Sequence, residues 1–429
     1  MPVPRAVLIV GGGLAGLATA ALLRAQSIPT LVFEGAERVG GRCLPHEENG
    51  FRWDALVVLD REKGALVSAL AEMGLPAPEK KPLALRIVAE RAAKLETGSL
   101  GFVMRTKIGS FGMRLGARGL LSDSLHKKED RLDHWYAIKD PGSALDVMNA
   151  FAGPDSAEMR TTPTSAFALA RETVLERRPL VALAGGCGAL IQQLLTKAGD
   201  MRTGATVEKL VLDGGFARGV KLRSGEFVEC AGVVLAIPPT LIRGLLEEPD
   251  WMRVASEERA RIDACAPRAA LEAAAELSEP LPDGFFAFSN EPPAFVVGIS
   301  AIDPTTAPAG RGLALARIGL PHHSMERPWD LSDARRQELE TQFRGALGKL
   351  ISPKAADSAR ILSRVRELDD PAAALCGGRT RPASTFAAFE NVFLVGDGTD
   401  TPGLPLERVF GSARAVAKLA ASICRSNLA

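Results

Sequence analysis

The chain has 429 residues, more than one hydrophobic core usually accommodates, so its length predicts two domains. Hydrophobic residues make up 46% of it and charged residues 24%, as in an ordinary soluble globular protein. The 52 basic and 51 acidic side chains give a net charge of +1. This balance argues against nucleic-acid binding, because such proteins carry a strong basic excess or a basic stripe.

The first apolar run, Ala6–Val10, is short and runs straight into three glycines, which favours a buried strand over a signal peptide. No apolar stretch approaches the roughly eighteen residues of a membrane-spanning helix. The six cysteines are scattered, without a Cys-x-x-Cys pair or a histidine at metal-ligand spacing. We therefore expect reduced thiols, a cytoplasmic location and no metal site.

Residues 6–34 read as a β-α-β unit, in which the strand Ala6–Val10 precedes a helix from Leu14 to about Ala25 and a second strand, Thr30–Phe33. An all-apolar strand is typical of a parallel sheet covered on both faces. The glycine-punctuated residues 35–42 form a loop.

Residues 60–180 contain the predicted helices Gly64–Met73 and Ser165–Glu176, separated by proline and glycine. Within them, residues 105–139 interleave eight Lys/Arg and four Asp/Glu with apolar side chains. We expect a solvated face with some core contacts. Peripheral contact with a membrane surface is the alternative, since basic and apolar residues combine in the same way there.

In the second half, strands are predicted at Ala205–Leu212, Gly219–Leu222, Gly232–Ile237 and residues 392–396, and a last helix at Phe410–Ile423. The pattern predicts an α/β fold, in which a Rossmann-like nucleotide-binding domain is interleaved with an α+β substrate domain. The predicted nucleotide-binding domain comprises residues 1–60, 183–245 and 385–429. The predicted substrate domain comprises residues 61–182 and 246–384.

The run Gly11-Gly12-Gly13-Leu14-Ala15-Gly16 fits the dinucleotide-binding pattern G-x-G-x-x-G. Gly11 permits the tight turn, Gly13 lets the backbone approach a diphosphate, and Gly16 lets helix and strand pack closely. The diphosphate is expected at the N-terminus of the helix that Leu14 and Ala15 open.

Glu34 ends the second strand, where a carboxylate accepts hydrogen bonds from ribose hydroxyls. The following Arg38-Val39-Gly40-Gly41-Arg42 adds a glycine pair and two cations beside the expected phosphate position. A Rossmann unit for NAD does not require this extension, so Gly41 and Arg42 favour FAD.

The string GGGLAGLATAALL…LVFEGAERVGGR and the C-terminal VFLVGDGTDTPGLPLERVFGSARAVAKLA resemble the flavin amine oxidase and phytoene desaturase superfamily. The resemblance implies that the nucleotide-binding domain is a Rossmann-like FAD-binding domain, in which three separated pieces of chain hold the FAD. It implies that Asp397, after Gly396, contacts the ribityl or diphosphate portion, and that the backbone near Val409 faces the isoalloxazine. It also assigns to Val207 the backbone that holds the adenine.

Two segments favour the phytoene desaturase branch: Ser300–Gly310, which resembles its S-x-x-D-P-x-x-A-P-x-G pattern, and the C-terminal run itself. The stretch Phe51–Val58 departs from the family, because it keeps an acid, Asp54, but lacks the usual glycine and histidine. The chain has one tyrosine, Tyr136, and no aromatic residue in Gly398–Glu407. The missing aromatic cage argues against an amine and favours an apolar substrate.

No side chain stands out as a general acid or base. We expect structural or surface roles for His322 and His323, while Asp400 and Glu407 could either handle a proton or form a turn. The expected function is hydride transfer between flavin N5 and a small hydrophobic substrate, giving desaturation or saturation. The alternatives are a flavin amine oxidase, an FAD-dependent isomerase and a non-catalytic flavin-binding subunit. The oligomeric state is not predicted.

Overall fold

The fold is seen in a computed structural model that describes residues 6–54, 59–61, 64–82, 84–88, 93–95, 180–263, 265, 267–290, 293–320, 331–369, 381–401 and 405–426.

Its strands are β1 (Val7–Val10), β2 (Thr30–Phe33), β3 (Pro45–Glu48), β4 (Phe51–Asp54), β5 (Leu59–Arg61), β6 (Lys80–Pro82), β7 (Ala84–Val88), β8 (Ala93–Leu95), β9 (Leu180–Leu183), β10 (Asp200–Arg202), β11 (Val207–Asp213), β12 (Phe216–Leu222), β13 (Phe227–Glu229), β14 (Gly232–Leu235), β15 (Pro267–Leu277), β16 (Phe285–Asn290), β17 (Pro293–Gly298), β18 (Gly312–Gly319), β19 (Arg360–Asp369), β20 (Thr385–Phe386) and β21 (Phe389–Leu394). Its helices are α1 (Leu14–Ala25), α2 (Ala65–Glu72), α3 (Gly186–Ala198), α4 (Ile242–Leu245), α5 (Glu248–Arg253), α6 (Ser256–Asp263), α7 (Asp333–Leu350), α8 (Pro353–Ser358) and α9 (Pro405–Ser426).

A six-stranded sheet in the order β10-β2-β1-β14-β21-β20 carries the nucleotide-binding motif. The pairings from β10 through β21 are parallel, and β20 adds an antiparallel edge. Strands β1 and β14 are buried throughout, because α1, α3 and α9 cover one face and the β11–β13 sheet with α4–α6 covers the other. The predicted α/β class and the β-α-β unit at residues 6–34 are confirmed.

The strands of this sheet come from all three pieces predicted for the FAD-binding domain. Two further segments pack with it. Leu66, Ala69 and Leu70 of α2 belong to the core around α1 and α9, and Trp251 and Ile262 belong to the core on the opposite face. The described packing therefore groups α2, α5 and α6 with the nucleotide sheet, although the predicted boundaries assign them to the substrate domain. The division into two domains stays a prediction.

A second, seven-stranded sheet has the order β19-β15-β18-β17-β16-β7-β8. Helix α7 covers one face, where Phe343 and Leu347 pack against Leu271 and Ala273 of β15. On the other face, Ala274 and Leu315 join a small cluster with Phe51 and Trp53 of the β3–β4 hairpin. The sheet thus has a helix-covered face and a face turned toward the chain that follows the nucleotide-binding loop.

The last helix differs from its prediction, because it begins at Pro405 rather than at Phe410. Proline is tolerated in the first helical turn, where the missing N–H has no partner to lose. The predicted helix Ser165–Glu176, residues 105–139 and Tyr136 lie outside the described residues. Within the residues that are described, none of the helices is long and apolar enough to cross a membrane.

Candidate functional site

The glycine loop lies at the carboxyl end of β1, at the edge of the parallel sheet where ligands bind in such folds. The N–H of Gly11 donates to the carbonyl of Phe33 at 2.8 Å, and Gly11 has φ +107°. A Cβ on Gly11 would lie 2.5 Å from the carbonyl oxygen of Ala236, and one on Gly16 would lie 2.0 Å from that of Gly11. Both positions therefore require glycine, as a tight phosphate-binding turn does.

The N-terminus of α1 is open to an anion. Gly13 precedes the helix in an extended conformation, no side chain caps the first turn, and that turn contains no acidic residue. The first N–H groups of a helix lack intrahelical partners and carry the positive end of its dipole. Leu14, Ala15 and Gly16 supply these groups, and a Cβ on Gly13 would meet no atom within 4 Å. The turn therefore fits a diphosphate.

Glu34 organises the same turn from the end of β2. Its Oε2 accepts a hydrogen bond from the N–H of Gly12 at 2.8 Å, and its Oε1 accepts one from the N–H of Ala36 at 2.9 Å. The carboxylate therefore holds the glycine loop directly. The sequence analysis predicted a ribose contact for Glu34 and did not identify its bond to the loop. The ribose contact stays a prediction, compatible with the position at the strand end.

The loop with the glycine pair lies directly on this turn. The N–H of Gly40 donates to the carbonyl of Gly12 at 2.8 Å, and a Cβ on Gly41 would lie 3.3 Å from the Cα of Gly13. Gly41 has φ +52°, which favours glycine. Arg42 follows at the bend and projects a cation beside the start of α1.

Arg42 reaches the C-terminal motif, which is 355 residues away in sequence. Its Nη2 donates to the Oδ1 of Asp397 at 2.6 Å, and the Asp397 side chain is 15% exposed. Burial disfavours the charge on Asp397, but the facing Arg42, together with Arg408 and Arg381, outweighs burial and lowers the pKa of this carboxyl. Asp397 is therefore ionised at neutral pH and pairs with Arg42, whose contact with the diphosphate stays a prediction.

Gly396 brings the same motif against α1. It has φ +126°, and a Cβ on it would lie 3.8 Å from the Cβ of Ala15. The hydroxyl of Ser412 in α9 accepts a hydrogen bond from the N–H of Gly396 at 3.0 Å. Because α9 starts at Pro405, Val409 lies in its second turn rather than at its start. Its predicted role beside the isoalloxazine stays a prediction.

Val207 begins β11 and is buried. The segment just before it is tied to the end of β2, because the N–H of Ala205 donates to the carbonyl of Glu34 at 2.9 Å. This bond connects the segment before β11 to the carboxyl end of β2, and the adenine contact of the Val207 backbone stays a prediction.

The candidates for proton transfer have separate outcomes. Asp400 lies in the loop after β21. Partial burial of its carboxyl raises the pKa more than Arg261 and Arg381 lower it. Glu407 is buried in the first turn of α9. His322 and His323 lie outside the described residues, as do residues 55–58. The backbone of Asp54 belongs to β4.

Asp303 is a junction residue that sequence reasoning missed. Its carboxylate accepts hydrogen bonds from the N–H of Gly185 at 2.8 Å and from the N–H of Thr305 at 3.0 Å, and Arg52 lies 3.7 Å away. These bonds and the cation lower the pKa of this carboxyl even though burial raises it. Asp303 thus joins the loop before β18, the start of α3 and the hairpin strand β4. Its only sequence signal was its place in the segment Ser300–Gly310.

Comparisons with known proteins agree with this geometry. A model described as flavin containing amine oxidoreductase matches residues 120–421, and one described as NAD(P)-binding Rossmann-like domain matches residues 9–60. The chain belongs to the flavin containing amine oxidoreductase family. It is a flavin-dependent oxidoreductase, as the resemblance of the two end motifs predicted.

Individual relatives cover almost the whole chain. A zeta-carotene-forming phytoene desaturase from Myxococcus xanthus is 24% identical, over 96% of this chain and 93% of its own. An oxidoreductase from Methanosarcina mazei has a TM-score of 0.72 at 18% identity, over 96% of this chain and 99% of its own. Cyclohexylamine oxidase from Brevibacterium oxydans has a TM-score of 0.66 at 18% identity, over 100% of both chains. These solved structures share the fold.

Proposed function

We propose that the chain binds FAD and transfers a hydride between flavin N5 and a carbon of an apolar substrate, by desaturation or by the reverse saturation. One observation carries the FAD part. Three pieces of chain converge at the start of α1: the glycine loop, the Gly40–Arg42 bend and the Gly396–Asp397 turn. Any dinucleotide needs a phosphate-binding turn, which the glycine loop supplies. The Gly40–Arg42 bend and the Gly396–Asp397 turn extend the site beyond it, as FAD, which is larger than NAD, requires.

Different residues would bind different parts of FAD. The N–H groups at the start of α1 would hold the diphosphate, with Arg42 supplying a cation. Glu34 would hold the ribose while it orders the loop. Asp397 would contact the ribityl portion, and the backbone of Val207 would support the adenine. When bound, FAD supplies the hydride-accepting and hydride-donating chemistry, so the protein needs few acids or bases of its own.

The proposal of an apolar substrate draws on the sequence and on a relative. Hydride transfer demands that a protein align a C–H bond and exclude water. The similarity to a phytoene desaturase extends over the length of both chains and also supports desaturation. The absence of aromatic residues from Gly398–Glu407 argues against an amine.

The absorption spectrum of the purified protein tests the cofactor. A flavin band, or uptake of added FAD with release of FAD on denaturation, is expected. A protein that shows no flavin band and takes up no FAD would overturn the proposal. Peroxide released on a panel of simple amines would instead support an amine oxidase. A product of unchanged mass would support an isomerase, and a flavin that is photoreduced but not reoxidised by oxygen or quinones would support a non-catalytic subunit.

Glu34→Arg tests the ribose site, with Glu37→Arg as its control. Both positions follow β2, but Glu37 is exposed. Glu34→Arg removes the bond to Gly12 and places a cation beside the expected adenosine, so FAD retention is expected to fall strongly. Glu37→Arg is expected to retain FAD as the wild type does. Equal FAD occupancy in the two variants would remove Glu34 from the site.

A further inference from the structure

Two carboxyl groups lie beside the turn that carries Asp397. One belongs to Glu258 of α6 and the other to Asp400 in the loop after β21, and they are close enough for their charges to repel each other. The Oε1 atom of Glu258 is closed off from solvent and has no hydrogen-bond partner among the described residues. The neighbouring Glu257 differs, since its carboxylate binds Arg261 at 2.7 Å and is 80% exposed. We call Glu258 and Asp400 the carboxyl pair.

Backbone packing connects α6 to the loop that carries Asp400. The helix contacts the short 3-10 helix Pro239–Leu241. A Cβ on Gly398 would lie 2.8 Å from Cγ of Pro239, so this short helix lies directly on the loop after β21. The N–H of Asp400 donates to the carbonyl of Pro382 at 3.0 Å. The backbone on both sides of the carboxyl pair is therefore held in place.

The same loop reaches the proposed flavin site. A Cβ on Gly396 would lie 3.8 Å from the Cβ of Ala15 in the first turn of α1. Thr399 is buried, and its hydroxyl donates to the carbonyl of Gly396 at 2.9 Å, which closes the turn. Asp397, inside that turn, is proposed to contact the ribityl portion of FAD, and Asp400 follows three residues later. Any role of the carboxyl pair in the reaction therefore rests on the proposed function.

The surroundings of the carboxyl pair favour a proton on it. Burial raises the pKa of Glu258, and the facing Asp400 also raises it, against the opposing effect of Arg261. Burial raises the pKa of Asp400 as well, and Arg261 and Arg381 oppose it. A buried carboxylate oxygen without a donor costs free energy, and two neighbouring carboxylates relieve their repulsion when one of them keeps a proton. Such a pair titrates as a unit.

The proposed reaction needs a group of this kind. In a desaturation, C–H bonds on two neighbouring carbons break. One hydrogen leaves as a hydride to flavin N5, and the other leaves as a proton, while the electron pair of its C–H bond forms the double bond. A saturation reverses these changes and consumes a proton. A carboxyl whose proton affinity is raised can accept and donate that proton near neutral pH.

We propose that Glu258 and Asp400 share one proton and are the proton-exchanging group of the flavin site. In a desaturation the pair accepts the substrate proton and releases one to solvent, which reaches Asp400. In a saturation it donates its proton and is reloaded from solvent. Glu258 is a positioning residue, because its enclosed carboxyl keeps the proton on the pair.

Infrared spectroscopy of the full-length protein, purified with its flavin, tests the shared proton. A protonated carboxyl has a C=O band distinct from that of a carboxylate. The spectrum of the wild type minus that of Glu258→Gln is expected to show such a band at neutral pH, shifted in D2O. Asp400→Asn removes the repulsion and lowers the pKa of Glu258, so the midpoint at which the band titrates should move to a lower pH.

Asp263→Asn is the matched control, because Asp263 is exposed on the same helix. It is expected to keep both the band and its midpoint. Circular dichroism checks the fold of each variant. If Glu258→Gln does not fold, Glu258→Asp retains the carboxyl and is expected to shift the band rather than remove it. A difference spectrum without the band, or a midpoint that Asp400→Asn does not lower, would overturn the inference.

A redox titration tests the connection to the flavin. Reduction adds negative charge beside the carboxyl pair, which should then bind its proton more tightly. The flavin reduction potential plotted against pH should therefore change slope where the infrared band titrates. Asp400→Asn should move that change of slope to a lower pH, and Glu258→Gln should remove it. The same plot for the wild type and both variants would contradict the proton-exchanging role. Neither measurement needs turnover, so failure of the proposed function would show separately, as a missing flavin absorption band.

Discussion

The two large sheets bring their polar and charged groups together in different ways. In the six-stranded sheet, the residues assigned to the cofactor lie in turns at strand ends, and many of their contacts are made by the backbone, as at Gly11, Gly16 and Gly40. In the seven-stranded sheet, Arg317, Glu272 and Arg364 lie within strands and meet only because the strands are in register.

This difference has a physical origin. A phosphate turn needs the backbone to come close to the ligand, so it demands glycine at fixed local spacing, whichever substrate the enzyme uses. A substrate face is built from side chains that project from neighbouring strands, and each row can change without altering the fold. The six-stranded sheet should therefore respond to changes in backbone space, and the seven-stranded sheet to changes in side-chain chemistry.

The largest expected effect is on the glycine loop. Gly16→Ala places a Cβ 2.0 Å from the carbonyl oxygen of Gly11, so we expect loss of flavin together with a lowered melting temperature. Gly13→Ala is the matched control, because its Cβ meets nothing within 4 Å. It should keep the melting temperature of the flavin-free protein and lose only flavin affinity. Equal melting temperatures for the two flavin-free variants would contradict the backbone argument.

The next largest effect is expected in the hydrophobic core between α7 and the seven-stranded sheet. Phe343 is fully buried against β15, so Phe343→Ala is expected to lower the free energy of unfolding of this region by about 3–5 kcal/mol. Denaturant unfolding followed by circular dichroism and by flavin release measures it. The flavin should remain bound after the seven-stranded sheet begins to unfold. Leu419→Ala, at an exposed position of α9, is the control and should change stability by about 0.5 kcal/mol or less. Simultaneous loss of flavin and of the sheet would show that the two regions unfold as one unit.

Asp303 connects the regions, and Asp303→Asn is expected to cost about 1–3 kcal/mol because an amide cannot accept both the Gly185 and the Thr305 bonds as well as the carboxylate does. Asp213→Asn, in an exposed pair with Arg218, should cost about 1 kcal/mol or less. Thermal unfolding measures both. A cost for Asp303→Asn no larger than that of the surface control would remove Asp303 from the junction.

The smallest effect concerns acid stability. The pKa of Asp397 is lowered in the folded protein, so its ionised form contributes stability above its ordinary pKa, and this contribution is lost as the pH falls through the lower folded value. Arg42→Gln removes the facing cation and raises that folded pKa, so acid unfolding should begin at a higher pH. An acid titration followed by circular dichroism measures the shift. Arg218→Gln, which alters an exposed pair, should leave the acid midpoint unchanged.

Much of the nucleotide site was predictable because its signals are local. The strand Thr30–Phe33 and the helix Leu14–Ala25 occur as predicted, and Gly11 to Gly16 open that helix. The resemblance at the C-terminus predicted that Asp397 contacts the cofactor. Asp397 pairs with Arg42, and its cofactor contact stays a prediction. The start of the last helix was wrong, since a proline was read as a loop residue although the first helical turn accepts it.

The contacts of the seven-stranded sheet were not predictable in the same way. Glu272 stands in an alanine-rich run that shows no motif, and its partners follow 45 and 92 residues later. Asp303 was part of a recognised segment, but its bond to Gly185 depends on how α3 approaches the second sheet. Spacing along the chain contains no information about which strands become neighbours.

By itself, the sequence determined the α/β class, the glycine turn and the flavin family, because each shows in short motifs whose own residues lie close together in the chain. Only the tertiary structure decided that Glu34 orders the glycine loop, that Arg42 pairs with Asp397, and that two arginines flank Glu272. Each of these contacts joins residues through strand order and register. Both are set by the packing of the whole sheet and not by local backbone preference.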